Sequence, residues 1–267
     1  MSGRDRVSRA LWPLAAAVAL ALGVQAQAAL DLDALVAAWL FDEADGEEVS
    51  DASGNGNDGE FVNDVQWAKG KVGGALEFEG AGWVEINNPV VTEAEEFTMG
   101  CWVKPADEQK KSWTNILSSH QEPPQVGMSI EQDVLSTNLY YLIAGDGAVW
   151  MGWVKGNLKT QLEADEWQHF VAVREGTTLT HYLDGEEVGD SNVGDETLKP
   201  AITNFRLGNW ILNGREWVGL LDEAFIFNRA LDEKEIGDIV RNGFAGDLGV
   251  SPDSKSATTW ATLKAKY

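Results

Sequence analysis

The stretch Trp217-Val-Gly-Leu-Leu-Asp-Glu-Ala-Phe-Ile-Phe227 constrains this chain more than any other. Simple alternation places Leu220, Ala224 and Ile226 on one face and Leu221, Phe225 and Phe227 on the other. Both faces are apolar, so this strand is expected to be covered on both sides, packed between layers. Asp222 and Glu223 interrupt it. Carboxylates buried there cost several kcal/mol unless they are paired, hydrogen-bonded or bound to a cation. The period then changes. Asp232 followed by Glu235, with Ile236, Ile239 and Val240 at helical spacing, predicts a short helix closed by a capping box.

The two ends of the chain read differently from its body. Arg4, Arg6 and Arg9 precede an apolar run from Ala10 to Val24, and Ala26-Gln27-Ala28 forms a small-x-small site. This is the pattern of a signal peptide over residues 1–28, and the apolar run is shorter than the ~20 residues needed to span a bilayer. No Cys follows the small residues, which argues against a bacterial lipid anchor. The expected location is therefore secreted, extracellular or periplasmic, with no membrane span after cleavage. Residues 1–28 carry three Arg and one Asp, so their removal takes the net charge from −23 to −25. Such acidity excludes nucleic acid as a partner, because its phosphates would be repelled. The single cysteine, Cys101, allows no internal disulfide and reads as a small buried hydrophobe.

Between these ends, short alternating runs are separated by Gly, Asn and Asp. Strands are expected at Val36–Phe41, Val65–Ala68, Ala75–Glu79, Trp83–Ile86, Phe97–Lys104, Asn115–Ser119, Val126–Ile130, Leu139–Ile143, Ala148–Val154 and Phe205–Gly208. Trp167–Val173 and Thr178–Leu183 form a hairpin about Glu175-Gly176, and Asp184-Gly185 turns into a further strand. About a dozen short strands with helix only near the end predict an all-β, two-sheet antiparallel jelly-roll sandwich with one short C-terminal helix.

Several motifs, taken in order, resemble the LamG-like jelly-roll domains of the concanavalin A-like lectin and glucanase superfamily. They are Ala38-Trp-Leu-Phe-Asp-Glu43, the loop Asp51-Ala-Ser-Gly-Asn-Gly-Asn-Asp-Gly59, and Gly70-Lys-Val-Gly-Gly-Ala-Leu-Glu-Phe78. Met99-Gly-Cys-Trp-Val-Lys-Pro105, Glu166-Trp-Gln-His169 and Leu183-Asp-Gly185 follow, and Gly219-Leu-Leu-Asp-Glu223 through Asn228-Arg-Ala-Leu231 closes the series. The resemblance implies a LamG-like domain over 29–242 and leaves 243–267 as a C-terminal tail. One departure is plain: relatives carry an acidic pair after the Phe78 strand, where this chain has Ala81-Gly82 before Trp83.

In such jelly rolls the first and last strands are neighbours. That would bring Asp42 and the Asp51, Asn57 loop toward Asp222, giving a candidate structural Ca²⁺ site rich in carboxylate and carbonyl oxygens. The alternative is that Asp51 and its Asn and Gly neighbours only build Asx turns, and that Glu223 pairs with Arg229 or another base. For ligand binding, Trp113, Trp150, Trp153, Trp210 and Trp217 fall near loops or strand ends, with Arg215, Asn209 and Asn213 available for hydrogen bonds. Trp39, Trp67, Trp102 and Trp167 fall inside strand patterns and read as core.

Catalytic signals are weak. Laminarinase-type glycosidases of the superfamily place three acids at alternate positions on one strand. Glu131-Gln-Asp133 begins that pattern, but Val134-Leu135-Ser136 follows where the third acid belongs. Glu163-Ala-Asp165-Glu166 reads as loop, and His169 and His181 flank one hairpin without an orienting acid. The expectation is a non-catalytic module that binds a glycan or an extracellular protein. The alternatives are a glycoside hydrolase of the same superfamily and a purely structural envelope component. The sequence leaves the oligomeric state open.

Overall fold

The computed structural model describes residues 30–88, 90, 95–119, 127–133, 138–144, 153–154, 162–193 and 204–244; at 133, 138–144 and 153–154 only the backbone is described. The expected signal peptide, Trp150, the side chain of Trp153 and the tail beyond residue 244 lie outside the described residues. In chain order the strands are β1 (Leu35–Trp39), β2 (Glu48–Val49), β3 (Gly59–Val62), β4 (Val65–Lys69), β5 (Gly74–Glu79), β6 (Trp83–Ile86), β7 (Phe97–Pro105) and β8 (Thr114–Ser118). There follow β9 (Gly127–Asp133), β10 (Asn138–Ala144), β11 (Trp153–Val154), β12 (Gln168–Glu175), β13 (Thr178–Leu183), β14 (Glu186–Asn192), β15 (Phe205–Leu207) and β16 (Val218–Phe227). One helix, α1 (Glu233–Asn242), follows β16.

These strands make two antiparallel sheets. The first runs β14-β13-β12-β7-β16-β5-β4, with β1 also paired to β16; the second runs β11-β10-β9-β8-β15-β6-β3-β2. The predicted sandwich is the observed one. The short strands β2 and β3 were hidden in the sequence by the turn-rich composition around them.

The inter-sheet core is built from alternate residues of both sheets, among them Trp39, Phe78, Met99, Cys101, Ile116, Ile130, Phe170, Phe205 and Ala224. Burial pushes the Cys101 thiol pKa upward, which keeps it protonated and packed as a hydrophobe. On the far side of the first sheet, Ile236 and Ile239 of α1 cover Ala38, Val171, Phe225 and Phe227. The helix begins with the predicted capping box: Asp232 accepts from the Glu235 N–H at 2.8 Å and Glu235 accepts from the Asp232 N–H at 2.9 Å. Thr98 ties this layer to the sheet, donating to the Arg229 carbonyl and accepting from the Leu231 N–H, each at 2.9 Å.

The strand β16 departs from simple alternation. A bulge shifts its register against β7 between Asp222 and Phe225, and Glu223 adopts a φ of 43°. Leu221, rather than Leu220, therefore shares the inter-sheet core with Ala224 and Ile226. Phe225 and Phe227 share the opposite face, against the helix, without the Leu221 that simple alternation grouped with them. The extra residue keeps the apolar side chains of both halves of the strand pointing correctly and takes both acids out of the inter-sheet core.

His169 and His181 do not face each other. His181 lies opposite Ala172 and against Phe170 on the core side, whereas His169 packs on the helix side between Trp102 and Phe225. Neither imidazole nitrogen of His169 has a hydrogen-bond partner among the described residues. Burial lowers the pKa of His169 to about 3 and that of His181 to about 4. Unfolding exposes imidazoles that bind protons below about pH 6.5, so stability is lost as pH falls through that value, by on the order of 1 kcal/mol per pH unit per histidine. Thermal melts from pH 8 to pH 4 are expected to show this loss, and His169→Leu is expected to make the profile shallower. An unchanged slope in that variant would rule out the assignment.

Candidate functional site

Two regions gather the polar groups singled out by the sequence. The first is a seam in the first sheet. Val218–Leu221 of β16 pairs with β5, and Ala224–Phe227 pairs with β1, so one side of β16 changes partner at Asp222-Glu223. The close of this seam requires glycine: a Cβ on Gly74 would lie 2.1 Å from the Phe41 carbonyl oxygen, and one on Gly70 would lie 2.6 Å from Asp222 Oδ2. The acids spend their oxygens on backbone amides. The Gly74 N–H donates to Asp42 Oδ1 at 2.8 Å, the Val72 N–H to Asp222 Oδ2 at 2.9 Å, and the Phe244 N–H to Glu223 Oε1 at 3.0 Å. Asp222 Oδ1 is buried without a donor among the described residues. Burial, together with the neighbouring Glu223 and Asp42 carboxylates, pushes its pKa up to about 8. The suggested Glu223–Arg229 pair is not formed; Arg229 binds Glu235 at 2.7 Å.

Asp51 and Asn57, expected beside Asp42 and Asp222, do other work. Asp51 Oδ1 accepts from the N–H groups of Ala38 and Ser53, and Oδ2 accepts from the Asn57 N–H and the Ser53 hydroxyl. Asn57 donates to the Val36 carbonyl, and its own carbonyl accepts from the Trp39 indole. They fasten the 51–59 loop along Val36–Trp39, while Asp42 sits beyond the end of β1 against Gly74. Among the described residues no group of three His, Cys, Asp or Glu side chains is arranged to hold a metal ion. Carbonyl oxygens would have to supply most of any coordination shell at Asp42 and Asp222.

The second region is the outer face of the second sheet. Ser129 and Glu131 alternate with core residues Met128 and Ile130 along β9. Asn115 lies opposite Glu131, and Ser118 opposite Ser129 and Arg206. The segment 208–217 folds across this face, anchored by bonds from the Gly208 N–H to the Ile116 carbonyl and from the Asn115 N–H to the Arg215 carbonyl. Asn209 Oδ1 accepts from the N–H groups of Trp210 and Arg215, and Arg206 Nη1 donates to the Trp210 carbonyl and Asn213 Oδ1. The loop is thus built stiff. It presents Arg215 stacked 4.3 Å from the half-buried Trp210 ring, with Nη1 3.1 Å from Glu131 Oε1.

Glu131 is fully buried. Its Oε1 also accepts from Asn115 Nδ2 at 2.8 Å and the Ser129 hydroxyl at 3.1 Å. Burial raises its pKa, against the opposing pull of Arg215, Asn115 and Ser129. A second stack flanks this one: Arg206 lies 4.7 Å from the Trp83 ring and binds Glu85 at 2.6 Å.

Of the expected platform residues, Trp210 and Arg215 sit together here. Trp113 enters β8 two residues before Asn115, half-buried, with a φ of 60° that bulky residues rarely adopt. Trp217 is a correction. It is fully buried in the inter-sheet core against Phe78, its indole donating to Gln132 Oε1 at 2.8 Å. Proximity to a loop in sequence misled, because the strand turns its side chain inward. Glu131 was weighed only as a catalytic acid. Its alternation with Ile130 was the available signal that it belongs to a polar face with Ser129.

The comparisons with known proteins agree with this architecture. A family model described as the concanavalin A-like lectin/glucanases superfamily matches residues 78–237. A comparison with curated proteins found no match. Among solved structures, domain 4 of an extracellular arabinanase from Geobacillus stearothermophilus, in complex with arabinotriose, superposes with a TM-score of 0.62 at 21% identity, covering 77% of this chain and 98% of that one. The binding domain of Paraclostridial Mosquitocidal Protein 1 gives a TM-score of 0.60 at 16% identity over 78% of this chain and 52% of that one. The binding domain of botulinum neurotoxin DC, in complex with SialylT, gives 0.58 at 14% identity over 79% and 51%. This chain thus spans about half the length of the two toxin domains, and at these identities the likeness is one of fold. With the family model matching more than half of the chain and the sandwich agreeing with it, the chain belongs to the concanavalin A-like lectin/glucanases superfamily.

Proposed function

We propose that this protein is a secreted, non-catalytic module that binds carbohydrate on the outer face of the second sheet, with calcium stabilising the seam in the first. The observation that carries the reading is the Trp210–Arg215–Glu131 constellation. A half-buried indole held by a rigid loop offers an apolar platform to a sugar ring, and buried polar groups behind it offer hydrogen bonds. Structural neighbours solved with arabinotriose and with SialylT support glycan over an extracellular protein as the partner. The Glu131 carboxylate is bound by Asn115, Ser129 and Arg215, and Val134-Leu135-Ser136 stands where the third acid of a laminarinase-type strand belongs.

The test is a glycan array followed by titration calorimetry of the best ligand. Trp210→Ala is expected to weaken binding at least tenfold while leaving the melting temperature within a few degrees. Retention of full affinity by that variant would sink the reading.

Asp42 and Asp222 are the residues that would hold calcium. The ion would offset the mutual repulsion of buried carboxylates at the seam. EDTA is then expected to lower the melting temperature of the parent protein and to leave an Asp222→Asn variant unchanged. An EDTA-insensitive parent would exclude a stabilising ion at this seam. Asp51→Ala serves as the contrast. Removing an acceptor of four hydrogen bonds is expected to cost about 2–4 kcal/mol, seen as the same drop in melting temperature with calcium or with EDTA.

A further inference from the structure

We infer that the buried polar patch beneath Trp210 and Arg215 selects neutral, hydroxyl-bearing sugars over acidic ones, an inference that rests on the glycan-binding reading above. Four polar atoms of one contiguous patch are buried without partners among the described residues: Glu131 Oε2, Asn115 Oδ1, Ser118 Oγ and Asn209 Nδ2. Their four residues are each fully buried. Each buried polar atom left unpaired costs about 1–3 kcal/mol, and folded proteins keep few of them. Four together on one patch therefore point to a polar ligand rather than to packing.

The polarity of the patch is fixed by the bonds that its other atoms make. Asn115 must turn Nδ2 toward Glu131 Oε1, since the reverse orientation would set an amide oxygen against a carboxylate. Its Oδ1 is left as an acceptor. Asn209 uses Oδ1 to receive the N–H groups of Trp210 and Arg215, which leaves Nδ2 as a donor. Two acceptors, one donor and one hydroxyl remain. A sugar hydroxyl donates and accepts at once, so hydroxyls can meet both the acceptors and the donor of the patch.

A carboxylate brings acceptors only. It would face Glu131 and Asn115 unpaired, and the flanking cations are already engaged: Arg215 binds Glu131 and stacks on Trp210, and Arg206 binds Glu85. The net charge of −23 adds repulsion at longer range. A site built to bond hydroxyls rejects analogues that cannot donate more strongly than an apolar pocket rejects a change of size.

The experiment uses matched pairs, lactose against sialyllactose and methyl-esterified oligogalacturonides against the free acids, within a broader array of neutral oligosaccharides. Neutral members are expected to bind at least tenfold more tightly than their acidic counterparts. Glu131→Gln, which puts a donor where an acceptor stands, is expected to weaken neutral binding at least tenfold and to narrow the preference. Asn209→Asp keeps the Oδ1 contacts, removes the donor and is expected to weaken binding severalfold, so the inference does not hang on one variant folding. Preference for the acidic member would overturn the inference and leave glycan binding standing. Unchanged affinity in both variants would remove the ligand from this patch. Absence of binding across the array would overturn the binding reading itself.

Discussion

The first sheet depends on β16 holding three neighbours at once. It pairs with β7 along its length on one side, and on the other it passes from β5 to β1 at Asp222-Glu223. A strand with cover on both faces has no free side for a charged residue, and the chain resolves this with a bulge. One added residue at positive φ puts Leu221, Ala224 and Ile226 into the same core and carries both carboxylates to the backbone amides of Val72 and Phe244. Those amides belong to segments that must be fastened anyway: the entry to β5 and the chain leaving α1. The acids are the fasteners of the seam, and their burial, with their crowding as the smaller cause, raises the Asp222 pKa.

The two sheets are treated differently on their outer faces. The first is covered over β1, β12 and the second half of β16 by α1 and by apolar side chains. The second carries polar residues on its outer face, overlain by a loop that hydrogen bonds hold rigid. Among the described residues, α1 is the helix that packs on a sheet, and it lies on the first. A buried polar face beside a stacked Trp–Arg pair is costly for folding alone, and its cost is understandable when the face serves binding.

Much of this was readable in the sequence. Alternation marked most of the strands, and the capping box marked the start of α1 to the residue, because local hydrogen bonding decides a helix N-terminus. The apolar content of Trp217–Phe227 determined that β16 would be covered on both sides, and its two acids announced an irregularity. That Trp210 and Arg215 would lie together was legible because short loops keep near neighbours in sequence near in space.

Tertiary structure alone decided the rest. Whether Leu220 or Leu221 faces the core depends on a bulge, which one-dimensional alternation cannot contain. Trp217 was placed inward by the start of β16, and Asp51 and Asn57 are held to the Val36–Trp39 backbone rather than to Asp42, through the Ala38 N–H and the Val36 carbonyl. Glu131 meets Arg215 across 84 positions of sequence and Asp222 meets Val72 across 150. Sequence patterning sets which side chains leave water, but partners so distant are chosen by strand order and register, and those emerge only when the sheets close.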